Sequence, residues 1–216
     1  MIKAFDIVVG FPTLRRAQGP VAEPVEAARP SGAVAGPISF GFDDGACVML
    51  KGRNGSGKTT LMKTIAGLLK PLSGSFETGG EAILVPTRIP KVRGFSVEEF
   101  VRTGMLAEYG SFRKPGTDAE RALDEALRMM DLSVLVSKDI SRISDGEFQK
   151  ACIAAAMTRK ANVLMLDEPT AFLDVENRVM VLQTLQRLAH DTGTTIIFST
   201  HDVYDGAIYS DAVLGL

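Results

Sequence analysis

Gly52-Arg53-Asn54-Gly55-Ser56-Gly57-Lys58-Thr59 is the stretch that decides the fold of this chain. It fits G-x-x-x-x-G-K-S/T, and its flanks fit as well. A short apolar run, Cys47 to Leu50, enters it. The segment Thr59 to Lys70 leaves it with helical spacing at Leu61, Ile65, Leu68 and Leu69, and Pro71 and Gly74 are expected to end that helix. The glycines let the backbone curl until successive amides converge, and the helix N-terminus adds partial positive charge at the same place. Such a cradle accepts phosphate oxygens. Asn54, Gly55, Ser56, Gly57 and Thr60 would line it. Lys58 would reach the β- and γ-phosphates of a nucleotide, and the Thr59 hydroxyl would ligate Mg2+.

Further along, Val163 to Leu166 is wholly apolar and runs into Asp167 and Glu168. A strand of that kind is buried on both faces, so its acids emerge at the C-terminal edge, where open α/β sheets bind ligands. Strand alternation would send the two acids opposite ways, Asp167 to a metal and Glu168 to an attacking water. Other strands are expected at Ile2–Phe11, Ile38–Phe42, Ala82–Val85 and Thr194–Ser199. Helices are expected from Glu147 to about Arg159 after Gly146, and from Val175 to His190 with Val175, Val179, Leu182 and Leu185 inward. Strands alternating with helices imply an α/β fold with a mostly parallel sheet.

Two segments differ in character. Arg15 to Pro37 carries four prolines and three glycines among small residues and reads as an exposed, mobile loop. Residues 88–144 read as an inserted helical subdomain within a core formed by 1–87 and 145–216. In it Ser96 would cap one helix and Thr117 with Glu120 would form a capping box for another, whose face is Ala119, Ala122, Leu123, Ala126, Leu127 and Met130.

Bulk properties narrow the function classes. A chain of 216 residues fits one domain. The net charge of −2 supplies no broad basic face, so no nucleic-acid partner is expected. Cys47 and Cys152 sit in apolar surroundings without a C-x-x-C and read as buried thiols. No apolar run approaches the roughly 18–20 residues of a membrane span, and the first residues lack a signal-peptide layout. The expected location is the cytosol, with any membrane link made through a partner.

Ile143-Ser144-Asp145-Gly146-Glu147-Phe148-Gln149-Lys150 resembles the L-S-G-G-Q signature of the ABC ATPases, in the variant with an acid at its fifth place. Ala171-Phe172-Leu173-Asp174 resembles that family's interface loop, and His201 in Ser199-Thr200-His201-Asp202 resembles its switch histidine. Phe11 fits the aromatic that stacks on adenine. These motifs span residues 11 to 201, nearly the whole chain. The resemblance implies a P-loop NTPase core with a mostly parallel sheet, a small antiparallel part at the N-terminus and the helical insertion. It implies ATP and Mg2+ as ligands. It also implies a head-to-tail pair of ATPase subunits, a homodimer or a paired subunit, in which Ser144 and Gly146 of one face the γ-phosphate held by the other. Lys58, Glu168 and His201 would be the catalytic residues.

Three departures stand out. Asp145 replaces the usual second glycine and adds negative charge beside a phosphate. Thr87 stands where the family has a glutamine that helps hold Mg2+. The 15–37 segment is longer than usual and would crowd the adenine side. The wording S-D-G-E-x-Q-K, L-D-E-P-T-A-F-L-D and S-T-H-D looks most like bacterial importers of iron–siderophore, haem or cobalamin complexes. That likeness implies permease subunits in the membrane, a groove for a permease helix lined around Thr87 to Gly104, a substrate-binding protein at one remove, and a place on the cytoplasmic face of the inner membrane. A soluble ABC ATPase for cofactor assembly or another cargo, and a nucleotide-switched scaffold with little turnover, are the alternatives. Glu168 and His201 argue against the scaffold.

Overall fold

The computed structural model describes residues 1–11, 32–106 and 116–216. Most of the 15–37 segment lies outside them. In chain order the elements are β1 (Ile2–Gly10), β2 (Ala33–Phe42), β3 (Cys47–Lys51), α1 (Lys58–Ile65), β4 (Ser73–Glu77), β5 (Ala82–Val85) and α2 (Val97–Arg102). They continue with α3 (Thr117–Met129), α4 (Asp145–Met157), β6 (Val163–Leu166), α5 (Val175–Thr192), β7 (Thr195–Ser199), α6 (Val203–Ile208) and β8 (Ala212–Gly215).

Five strands form a parallel sheet in the order β5-β6-β7-β3-β8, and three form an antiparallel sheet in the order β2-β1-β4. β7 lies between β6 and β3, so the three loops that carry the sequence motifs leave adjacent strands at one edge. The central strands β3, β6 and β7 are almost wholly buried because both of their faces are covered. Val48, Leu50, Met165 and Ile197 pack against Leu61, Met62 and Ile65 of α1 and against the antiparallel sheet. Cys47, Met49, Leu164, Leu166, Ile196 and Phe198 face the other helices. Burial pushes both thiols up to about 12, with Asp211 adding to the effect at Cys47. Among the described residues no helix is long and apolar enough to cross a membrane.

Several sequence-based expectations change. β2 begins at Ala33, so residues 33–37 are strand and not loop. Pro37 is tolerated because β2 is an edge strand, where a missing ladder donor leaves no buried acceptor. α1 stops at Ile65, before Pro71, because Ala66 closes it and Gly67 turns left-handed at φ 74°. Leu68, placed inward by the spacing, is therefore exposed. Ser96 does cap α2 in a full capping box with Glu99. Thr117 does not cap α3, because the helix starts one residue earlier, with Gly116 at the cap. The face Ala119, Leu123, Ala126, Leu127 and Met130 is buried as expected, while Ala122 is half-buried. Val175 is exposed, since it opens α5 before the helix reaches the core, and Val179 is half-buried; Leu182 and Leu185 are buried as expected, with Val181 beside them.

Candidate active site

The 52–59 loop closes into a cleft of about 280 Å3 lined by Val34, Asn54, Gly55, Gly57, Lys58, Thr59, Thr60, Asp167, Glu168 and His201. Gly57 has φ 100°, a left-handed conformation open to glycine, and a Cβ there would lie 2.7 Å from the Ala35 Cβ. The antiparallel sheet thus sits directly on the loop through Val34 and Ala35. Lys58 is buried, and its ammonium donates to the carbonyls of Gly52 (2.7 Å) and Arg53 (3.0 Å), which pulls the loop into a ring.

The carboxylates converge on the same cleft from β6. Thr59 Oγ1 donates to Asp167 Oδ2 at 2.7 Å, and Ser199 Oγ donates to Asp167 Oδ1 at 2.8 Å. The same Ser199 oxygen accepts from the Glu168 amide at 3.0 Å. Glu168 has φ 55°, so the chain leaves strand geometry there. Asp167 and Glu168 do take different partners, but through this left-handed turn and not through strand alternation. His201 Nε2 lies 2.6 Å from Glu168 Oε1. An ionised Glu168 only accepts, so Nε2 carries the proton of that contact.

The residues present fit a magnesium nucleotide. Ser56, expected to line the cleft, does not: its Oγ is buried against Gly52 and has no hydrogen-bond partner among the described residues. Thr59 and Asp167 hold two hard oxygens side by side, the donor type magnesium takes when phosphates complete its shell. Among the described residues no cluster of three or more His, Cys, Asp or Glu could hold a metal alone.

Other predicted site residues lie elsewhere. Phe11 follows β1, more than half exposed, with its amide on the Gly32 carbonyl, and it does not line the cleft; Val34 supplies apolar wall there. Thr87 faces a neighbouring cleft with Arg88, Lys91, Phe148, Gln149 and Phe172, away from Lys58 and Asp167. Ser144 is exposed and also stands apart from the 52–59 cleft. It is the N-cap of α4: its oxygen accepts from the Glu147 amide, and its amide donates to the Glu147 carboxylate. Gly146 therefore lies inside the first turn and does not precede the helix. A Cβ on it would meet the Phe172 carbonyl oxygen at 3.0 Å and Leu173 at 3.2 Å, so glycine lets the 171–173 loop cross the helix tip. Asp145 is paired with Lys91 at 2.8 Å.

Sequence reasoning missed Ser199, Val34 and Lys91. The signal for Ser199 was its place at the end of an apolar strand two residues before His201. Nothing local marked the other two.

Residues 35–171 match the family model described as ABC transporter. The petrobactin import ATP-binding protein FpuC of Bacillus anthracis is 33% identical over 185 residues, covering 80% of this chain and 68% of its own length. The molybdate import ATP-binding protein MolC of Haemophilus influenzae is 30% identical over 164 residues, covering 76% of this chain and 65% of its own. The matches thus span about two thirds of these curated relatives. In fold, the chain is similar over its whole length to a dimeric bacterial ABC transporter cassette, with TM-score 0.80, 20% identity and 94% of that chain covered.

Proposed function

We propose, from the premise that this chain belongs to the ABC transporter family, that it binds and hydrolyses ATP as the motor subunit of a transporter. One observation carries the reading. Lys58, Thr59, Asp167, Glu168 and His201 meet in a single cleft, while Ser144 stands exposed and away from it. A site complete for binding but lacking its signature serine fits a subunit that is finished by a second one. The fold likeness to a dimeric cassette supports the same arrangement.

Each residue then has a task. The loop amides and Lys58 hold the triphosphate. Thr59 and Asp167 would hold Mg2+, which supplies charge stabilisation to the transferring phosphoryl group. Glu168 orients the attacking water and takes up its proton. His201, starting from its contact with Glu168, orients that carboxylate and can turn to the γ-phosphate. Ser144 of the second subunit donates to the γ-phosphate from the other side. Loss of the γ-phosphate releases that contact and lets the pair open.

The finer proposal is import of an iron–siderophore, haem or cobalamin-type complex. A petrobactin import protein among the relatives supports it, and a molybdate import protein shows how broad the cargo range of similar chains is. Permease subunits would engage the region 88–144 and hold the protein at the cytoplasmic face of the membrane.

Phosphate release by the purified chain tests the core of this reading. Turnover is expected to require Mg2+ and to rise more steeply than linearly with protein concentration. Glu168→Gln is expected to keep MgATP binding and lose about 10²–10⁴-fold in turnover. Near-normal hydrolysis by that variant would remove Glu168 from the chemistry. Uptake of a ferric siderophore, haem or cobalamin by cells carrying and lacking the chain tests the cargo.

A further inference from the structure

The α4 tip presents an electrostatic problem. It carries Asp145 and Glu147 beside Ser144, and the two-subunit reading brings it against a phosphate. Glu147 is occupied by the Ser144 amide and lies near Lys138 and Lys150. Asp145 is largely exposed, and its one ion-pair partner among the described residues is Lys91.

Lys91 grips the chain on both sides of Ser144. Its ammonium lies 2.8 Å from Asp145 Oδ1 and donates to the Ile143 carbonyl at 2.6 Å. It also sits 5.6 Å over the Phe148 ring, which anchors it to the helix. Only 23% of its side chain is exposed, so the group is held and not swept through solvent. Ser144 Oγ meanwhile accepts from the Glu147 amide at the exposed tip of α4.

We infer that Lys91 is a positioning residue for the composite site: it fixes the Ile143–Asp145 segment and neutralises Asp145, so that Ser144 can approach the γ-phosphate held by a second subunit. The inference rests on the two-subunit reading above. Asp145 is tolerated in place of a glycine because this lysine, from the loop after β5, cancels its charge where the phosphate arrives. Without Lys91, one uncompensated carboxylate would face each nucleotide.

The experiment uses the full chain in the Glu168→Gln background, where MgATP drives pairing without turnover, and follows dimerisation by sedimentation. Adding Lys91→Met is expected to weaken pairing by about fivefold at each site, hence roughly 25-fold for a dimer with two sites. Lys91→Arg is expected to pair like the parent. Lys91→Met with Asp145→Gly is expected to return to within about twofold of Asp145→Gly alone, since the charge needing cancellation is gone. A residue that served packing alone would not be rescued by deleting the opposite charge. MgATP binding to the monomer should be equal in all variants.

Normal pairing by Lys91→Met overturns the inference, and so does a double variant as weak as Lys91→Met. If Lys91→Met does not fold, Lys91→Gln with and without Asp145→Asn reads the same cycle. A parent that binds MgATP but never pairs refutes the two-subunit reading itself. A parent that pairs while Lys91 variants are indifferent refutes the inference alone.

Discussion

Replacing Ser199 by alanine removes one oxygen and strands two groups. Ser199 is fully buried, so water cannot substitute for the hydroxyl. The Asp167 carboxylate loses a donor at 2.8 Å, and the Glu168 amide loses its acceptor at 3.0 Å. A bond to a charged acceptor contributes about 2 kcal/mol and a neutral one about 1 kcal/mol, so the loss is about 3 kcal/mol. For a domain of this size each kcal/mol moves the midpoint by about 2–4 °C, which gives a fall in Tm of roughly 6–12 °C without nucleotide. The same change frees Asp167 to swing and lets the left-handed turn at Glu168 relax. The Mg2+ concentration for half-maximal ATPase is therefore expected to rise, while Ser199→Thr keeps the hydroxyl and loses less. Calorimetry and a Mg2+ titration on the three proteins decide it. A fall in Tm below about 2 °C with unchanged Mg2+ dependence would show that Ser199 does not anchor the two carboxylates.

Glu168 itself occupies a left-handed conformation, φ 55°, which costs a non-glycine residue about 1 kcal/mol. Glu168→Gly is thus expected to abolish turnover yet melt no lower than Glu168→Gln, and thermal scans of the two variants check it; a clearly lower midpoint for glycine would contradict the strain. Acid should weaken the fold through its helix caps. Glu147, Asp174 and Asp202 are held below the usual carboxylate range, chiefly by hydrogen bonds with the backbone amides of Ser144, Asn177 and Asp205 respectively. The native state binds fewer protons than the unfolded chain there, so this stability is whole above the ordinary carboxylate range and disappears as pH falls through the lowered values. Urea denaturation from neutral pH into that range measures it, and Glu147→Gln should flatten part of the slope.

The phosphate loop was legible because all of its determinants are local. Entering strand, glycines, lysine and leaving helix follow one another in the chain, and the structure assembles them in that order. The carboxylates were legible as residues but not as a geometry. Their separation depends on a turn at Glu168 held by Ser199, and that contact exists only because β6 and β7 are neighbours in the sheet. Sequence spacing carries no information on strand order. The segment before Ile38 was misread for a different reason. Gly36 and Pro37 disfavour a central strand, but Pro37 costs little at an edge and Gly36, at φ 115°, lets β2 approach the Ile7 carbonyl of β1; both are properties of the assembled sheet.

Asp145 makes the same argument from the side of chemistry. Taken along the chain, Asp145 beside Ser144 looks uncompensated, because sequence order does not show which cation reaches it. In the fold, the loop after β5 returns to the α4 tip and delivers Lys91 onto both the Asp145 carboxylate and the Ile143 carbonyl. The charge of a site is therefore set by which loops reach it. A departure from a motif is best weighed against those loops before it is counted as a loss, since a glycine and an aspartate with its lysine can leave the same net charge at the α4 tip.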